Sequence, residues 1–207
     1  VHFGAGALGL GFVVPYSHAA GLEPVLVGRR GSQTFDAIWK SRQYFRVVKD
    51  DESLEDEIDF KELHDLLDEG NNVWRRLEAE GRPLLITTAM TTEGLDELCE
   101  PLRRLLSRRT SNGLDTLVVP CENKVGDKYR RLATAQRTGS GNAGFAESVV
   151  DRICRPPVTT VTGVVAMTER HGSWVVSLPK SNPRVLTDAI ARMGIAVVPD
   201  CAPFAMR

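Results

Sequence analysis

The chain opens Val1-His-Phe-Gly-Ala-Gly-Ala-Leu-Gly-Leu-Gly-Phe12, a short β-type run delivered directly into a Gly-x-Gly-x-x-Gly turn. This order dictates strand, tight turn and helix. Gly4 allows the turn, Gly6 lets backbone approach an anion without a Cβ, and Gly9 lets the helix pack close to the strand. The helix N-terminus then offers unpaired N–H groups and a partial positive charge to a nucleotide pyrophosphate. Phe3, Gly4, Ala5, Gly6, Ala7, Leu8 and Gly9 together form the expected dinucleotide cradle.

The rest of the chain is read against that turn. At 207 residues it is long enough for one sizeable α/β core. Hydrophobic content of 42% and charged content of 26% belong to an ordinary globular protein, and a net charge of −1 gives no nucleic-acid footprint. No apolar run approaches the roughly 18–20 residues of a membrane span, and no leader segment is expected before the first strand. Cys99, Cys121, Cys154 and Cys201 are widely spaced and read as reduced thiols, which points to the cytoplasm. His2, His18, His64 and His171 are equally scattered, so no metal site is expected. A first strand needs roughly five or six residues, more than stand before Gly4, so the natural chain is expected to begin earlier.

Strand and helix signals alternate through the first two thirds. A helix is expected over Leu8–Ala20, stopped by Gly21 and distorted or shortened by Pro15. Pro24–Val27 suits a central parallel strand, Ser32–Lys40 a helix and Tyr44–Val48 a short strand. Asp50–Asp59 carries acids without a base and reads as a solvated excursion. Phe60–Glu80 shows helical spacing, broken into two pieces at Gly70-Asn-Asn72. Pro83–Ala89 is a buried strand. In the following helix Leu95, Leu98, Leu102, Leu105 and Leu106 line one face, while Arg103, Arg104, Arg108 and Arg109 read as its solvated basic end.

Leu114–Val119 is a further strand, and this alternation predicts a Rossmann-like doubly wound parallel sheet. Gly139–Gly144 reads as a loop and Phe145–Ile153 as a short helix. Val158–Thr168 and Ser173–Leu178 read as an antiparallel pair extending the sheet; a helix over Arg184–Met193 then leads to Ile195–Val198.

Three segments fall where ligands of open α/β sheets collect, outside the carboxyl ends of strands. After the second strand stands Gly28-Arg29-Arg30, with no carboxylate of the kind that accepts from the ribose hydroxyls of NAD. Guanidiniums there suit a 2′-phosphate, so NADP(H) is expected over NAD(H); the plainer reading is two solvent-facing arginines. Thr88 and Ala89 offer small residues where a ribose would pass. Asn123, in Cys121-Glu-Asn123, can orient the nicotinamide ribose or stabilise a turn.

His2–Phe12, Thr87–Ala89, Cys121–Asn123 and Gly144-Phe-Ala-Glu-Ser-Val-Val-Asp-Arg-Ile153 with Pro156-Pro157 occur in that order. Together they resemble the N-terminal Rossmann domain of the mannitol dehydrogenase family, the polyol-specific long-chain dehydrogenases, and most of all its mannitol-1-phosphate 5-dehydrogenase branch. Trp174, after Thr168–Ser173, resembles the strand preceding the family's second domain. The resemblance implies a dinucleotide-binding domain over 1–207 and a polyol or polyol-phosphate substrate taken by a helical C-terminal domain. The chain departs from the family in three places. Arg29 stands near the position of the branch's Asp, Leu10 replaces an Arg between the last two glycines, and Glu147 resembles the branch's acid rather than the Asn of the 2-dehydrogenases. No oxyanion role is carried over to Glu147; its alternative reading is structural, a buried carboxylate paired with Arg152.

The family's Lys-x-x-x-x-Asn-x-x-His signature follows none of Lys40, Lys49, Lys61, Lys124, Lys128 and Lys180. Alcohol oxidation needs a base near the carbinol carbon, so no catalytic residue is expected within this chain. The helical catalytic domain is expected to lie beyond it, and the isolated 207 residues are expected to be inactive. The alternative is a stand-alone dinucleotide-binding or redox-sensing module.

Overall fold

The computed structural model describes residues 1–48, 51–58, 60–68, 72–122, 143–169, 172–179 and 184–204. Its first half runs β1 (His2–Phe3), a π-helical segment (Gly9–Val13) continuing as α1 (Val14–Ala19), β2 (Val25–Gly28), α2 (Gln33–Ser41), β3 (Tyr44–Val48), β4 (Asp51–Glu57) and β5 (Glu62–Asp65). Next come α3 (Asn72–Ala79), β6 (Leu84–Thr88), α4 (Thr92–Ser111), β7 (Thr116–Pro120), β8 (Ala143–Phe145) and β9 (Glu147–Asp151). Then follow β10 (Val158–Thr159), β11 (Val164–Thr168), β12 (Ser173–Ser177), α5 (Arg184–Arg192) and β13 (Ala196–Val197), and a 3₁₀ turn over Ala202–Phe204 closes the described chain.

Six strands form a wholly parallel sheet in the order β5-β2-β1-β6-β7-β8. This is the doubly wound order, and its direction reverses between β1 and β6. Side-chain alternation gives the sheet two apolar faces. Phe3, Val27, Ile86 and Val118 pack under α3 and α4 with Trp74, Leu98 and Leu102. On the other face Leu117 and Val119 meet Phe12, Trp174 and Ile190, while Leu26 and Leu63 meet Leu10, Phe35 and Ile38.

The first helix carries the distortion expected from Pro15. Its opening turns are π-helical, and the Val14 N–H donates to the Gly9 carbonyl. Proline has no N–H to continue a regular ladder, and a widened turn ahead of it absorbs the mismatch.

Several local expectations are corrected by tertiary pairing. The first piece of Phe60–Glu80 is strand β5, because the outer edge of β2 takes a parallel partner in the register Leu26↔Leu63. Among the described residues of that stretch only α3 is helical. The acidic segment is strand β4, antiparallel to β3 and at the end of the second sheet, β10-β11-β3-β4. A charged edge strand resists pairing with another chain, so its acids are compatible with strand structure in a way that an apolar-periodicity reading misses.

Phe145–Ile153 is not helical. β8 ends the main sheet and β9 pairs with β12, where Trp174 Nε1 donates to Ser148 Oγ at 2.9 Å. β11 and β12 do not pair with each other: β11 joins β3 in parallel, and β12 lies between β9 and β13. Two side-chain expectations also fail. Glu147 is exposed, and Arg152 instead donates to Thr168 Oγ1 at 2.7 Å with its guanidinium 5.0 Å from the Phe12 ring. Arg109 is fully buried rather than solvated.

Candidate dinucleotide site

The glycine turn leaves β1 at the point where the strand order reverses. Gly4 has φ +116°, a conformation that disfavours side chains, and a Cβ there would stand 2.2 Å from the Ala89 carbonyl oxygen. Its N–H donates to the Val27 carbonyl at 2.9 Å, and the Ala89 N–H donates to the Phe3 carbonyl at 2.9 Å. The turn is therefore clamped between the ends of β2 and β6. A Cβ on Gly9 would meet His2 Nε2 at 2.4 Å and the Gly4 carbonyl oxygen at 2.5 Å. Gly6 differs from both: nothing lies within 4 Å of its Cβ position, so its bare backbone faces open space.

That space is a cleft of about 540 Å³. Gly6, Ala7 and Leu8 form one wall, and Ala89, Met90, Thr91, Glu93 and Glu122 line the rest. A cleft of about 500 Å³ also opens at the opposite end of the sheet, beside Val1, Val25 and Leu85. Ligands of open α/β sheets bind outside the carboxyl strand ends, which favours the cleft at the glycine turn. A cradle with bare backbone exposed at the start of a helix fits a dinucleotide pyrophosphate.

The floor of the turn is polar. His2 is buried, with Nδ1 2.8 Å from Thr87 Oγ1. Burial holds its pKa well below the usual histidine value, so the imidazole is neutral under the cradle at ordinary pH. On the far wall Glu122 accepts from Thr88 Oγ1 at 2.9 Å and from the Met90 N–H at 3.0 Å. Burial pushes this carboxyl above its usual range. Glu122 thereby ties the end of β7 to the loop after β6.

Of the residues expected from sequence, Gly6, Ala7, Leu8 and Ala89 line the cleft. Phe3 and Thr88 are buried beside it, and Asn123 lies outside the described residues. Gly28 owes its identity to packing, since a Cβ there would stand 2.2 Å from the Phe35 ring. Arg29 and Arg30 are at the tip of β2, but the absence of carboxylates inferred there is corrected by contacts with three acids on neighbouring elements. Glu97 Oε1 stands 3.0 Å from Arg29 Nη1, and Asp36 Oδ1 stands 2.5 Å from Arg30 Nε. Asp65, in register with Gly28, accepts from the Arg30 N–H at 3.2 Å. Sequence reasoning assigned no role to His2, Glu97 or Glu122. For Glu122 the signal was a carboxylate at a strand's carboxyl end; for His2 it was a polar residue in an apolar strand.

Comparison with known proteins agrees with the Rossmann-like fold that carries this cleft. A family profile described as the mannitol dehydrogenase Rossmann domain matches residues 1–186. Mannitol-1-phosphate 5-dehydrogenases from Oceanobacillus iheyensis and Halalkalibacterium halodurans are each 26% identical to the chain, over 216 and 219 residues. All of this chain is covered but only 54% of each relative, so the chain spans about half the length of these relatives. Among solved structures, 2-dehydropantoate 2-reductase from Methylococcus capsulatus superposes with a TM-score of 0.60 at 11% identity, covering 99% of this chain and 58% of its own. D-mandelate dehydrogenase, solved with NADH, gives 0.56 at 13% identity over 95% of this chain and 53% of its own. At such identities these two likenesses concern the fold.

Proposed function

The chain belongs to the mannitol dehydrogenase family, matching its Rossmann domain over residues 1–186, and from that premise we propose that it is the cofactor-binding part of an NAD(P)-dependent polyol dehydrogenase. The substrate is a sugar alcohol, of the mannitol-1-phosphate type, interconverted with its ketose. The observation that carries the reading is the pairing of a strained Gly4 with an open Gly6 on a cleft at the switch point.

In this reading Gly4, Gly6 and Gly9 hold the pyrophosphate against the helix start. Arg29 and Arg30 meet the adenosine end and favour NADP(H), because guanidinium is a bidentate phosphate ligand. Thr88, Ala89 and Asn123 flank the nicotinamide side, with Glu122 fixing the loop that carries Ala89. The dinucleotide carries the hydride. The base that takes the hydroxyl proton is supplied from outside these 207 residues, so this chain binds cofactor without turning over polyol. Its free cysteines fit a cytoplasmic setting, and no helix among the described residues is long and apolar enough to cross a membrane.

The test is a fluorescence titration of the purified chain with NADPH and NADH, run beside a polyol oxidation assay. Saturable binding without turnover is expected. Failure to bind either nucleotide refutes the cofactor reading, and measurable oxidation refutes the placement of the base.

A further inference from the structure

We propose that Glu97 is a specificity-determining residue: it holds Arg29 as an internal ligand and competes with a cofactor 2′-phosphate for that guanidinium. The inference rests on the dinucleotide reading above, and it adds a residue that the glycine turn does not imply.

Arg29 stands at the tip of β2, 53% exposed, with Nη1 3.0 Å from Glu97 Oε1. Glu97 lies on α4, one helical turn beyond Glu93, which lines the cleft. The ion pair therefore spans from the β2 tip to the helix that walls the cofactor cleft. The second carboxylate oxygen, Oε2, is buried and makes no hydrogen bond among the described residues. Its lone pairs are withdrawn from water without compensation, so Glu97 depends heavily on Arg29.

A 2′-phosphate that recruits Arg29 has to break this pair and bring its own negative charge toward a half-desolvated carboxylate. Both effects oppose NADP(H). A 2′-hydroxyl is neutral and can donate to a carboxylate oxygen, so NAD(H) meets neither penalty. The other carboxylates nearby are differently engaged. Asp36 takes both Arg30 Nε and the Gly31 N–H, closing its own loop, and Asp65 accepts from the N–H groups of Arg30 and Leu67. Glu97 alone among these three presents a buried oxygen without a partner among the described residues. Both arginines are thus held by carboxylates, Arg30 by Asp36 and Arg29 by Glu97, and the Glu97 pair is expected to reduce, without reversing, the preference for NADP(H) that the arginines supply.

The experiment measures dissociation constants of the 207-residue chain for NADPH and NADH by fluorescence, with 2′,5′-ADP and 5′-ADP as displacing probes. Circular dichroism verifies that each variant is folded. Glu97→Gln is expected to tighten NADPH relative to NADH by about 3- to 10-fold, the range set by a partly exposed ion pair. The same shift is expected for 2′,5′-ADP relative to 5′-ADP. In an Arg29→Met background, Glu97→Gln is expected to move both ratios by less, because only the repulsion between the Glu97 carboxylate and the 2′-phosphate is left to relieve. Wild-type binding of both cofactors with ratios that Glu97→Gln moves less than about twofold overturns the competition and leaves the dinucleotide reading standing. A shift of equal size in the Arg29→Met background overturns it as well. A folded wild-type chain that binds none of the four nucleotides overturns both.

Discussion

Replacing Arg109 should cost this fold more than replacing any of the arginines beside it. Arg109 is fully buried in the last turn of α4. Its Nε donates to Thr116 Oγ1 at 2.8 Å, and Nη1 donates to the carbonyls of Leu77 at 3.0 Å and Glu80 at 2.5 Å. Nη2 reaches the carbonyls of Arg82 at 2.6 Å and Asp115 at 3.3 Å. One guanidinium thus closes the end of α3, the turn into β6 and the start of β7.

In Arg109→Met the Glu80, Arg82 and Asp115 carbonyls lie in half-buried surroundings and regain water. The Leu77 carbonyl and Thr116 hydroxyl are dry, and each loses a charge-assisted bond at about 1–3 kcal/mol. With imperfect filling of the vacated space, the expected loss is about 4 kcal/mol, within a total stability of about 5–15 kcal/mol. For a chain of this size that corresponds to a Tm lower by roughly 8–16 °C. Arg109→Lys keeps the charge but aims one nitrogen at acceptors spread over three segments, so about half the loss is expected. Arg108→Met removes only an exposed pairing with Glu78 and should change stability by less than about 1 kcal/mol. Urea unfolding followed by circular dichroism gives all three values. An Arg109→Met midpoint no lower than that of Arg108→Met would refute the clamp.

Three further outcomes are expected. Gly6→Ala should leave the Tm of the nucleotide-free chain within about 2 °C of wild type yet weaken NADPH binding about tenfold or more; Gly4→Ala should destabilise the free chain itself by about 2–4 kcal/mol, both read by thermal shift with and without NADPH. The hydrogen bond from Arg76 holds the Glu62 carboxyl down at about 2, so the stability it confers is complete above the ordinary value of 4.5 and is lost as pH falls from there toward 2. Glu62→Gln should flatten the acid limb of a Tm-against-pH curve, and an unchanged limb would exclude this pair as its source. Glu122 has the opposite sign: with its folded pKa raised by burial, the unfolded chain releases the proton first, and stability falls as pH rises through that interval. Glu122→Gln should remove this fall without lowering the neutral-pH Tm, and a lower Tm would show that the ionised form is needed to hold Thr88 and Met90.

What was legible in the sequence was whatever apolar periodicity and local turn chemistry control. β2, β6 and β7 are short apolar runs, α4 carries its leucine stripe, and Pro15 announced a distorted first helix. What escaped was set by partners distant in the chain. β5 has too few residues for its period to tell helix from strand, and only the free edge of β2 decides the matter. β4 carries no apolar alternation at all, because an edge strand can be built from charge. At the site, Glu97 lies on a helix far along the chain from the Arg29 that it holds. Arg109 is an intermediate case. It continues the stripe of Leu98, Leu102 and Leu105 at helical spacing, which places it on the buried face, but the carbonyls awaiting it belong to other elements.

The three turn glycines, identical in the motif, separate in the structure by what requires them. The protein's own packing forbids a side chain at Gly4, through the Ala89 carbonyl, and at Gly9, through His2 and the Gly4 carbonyl. Those two residues would be needed even if the cleft never met a ligand, so by themselves they say only that a strand turns sharply into a helix. Gly6 is required by nothing in the chain, since its Cβ position is open and borders the cleft. A glycine in a helix-starting turn also carries a conformational cost relative to alanine. On the proposed reading its presence is accounted for by a ligand that occupies the open space at close range and that backbone N–H groups can hold. An anion on the scale of a pyrophosphate meets both conditions, so on the proposed reading it is Gly6, rather than the two glycines that shape the turn, whose substitution bears on the cofactor without disturbing the fold.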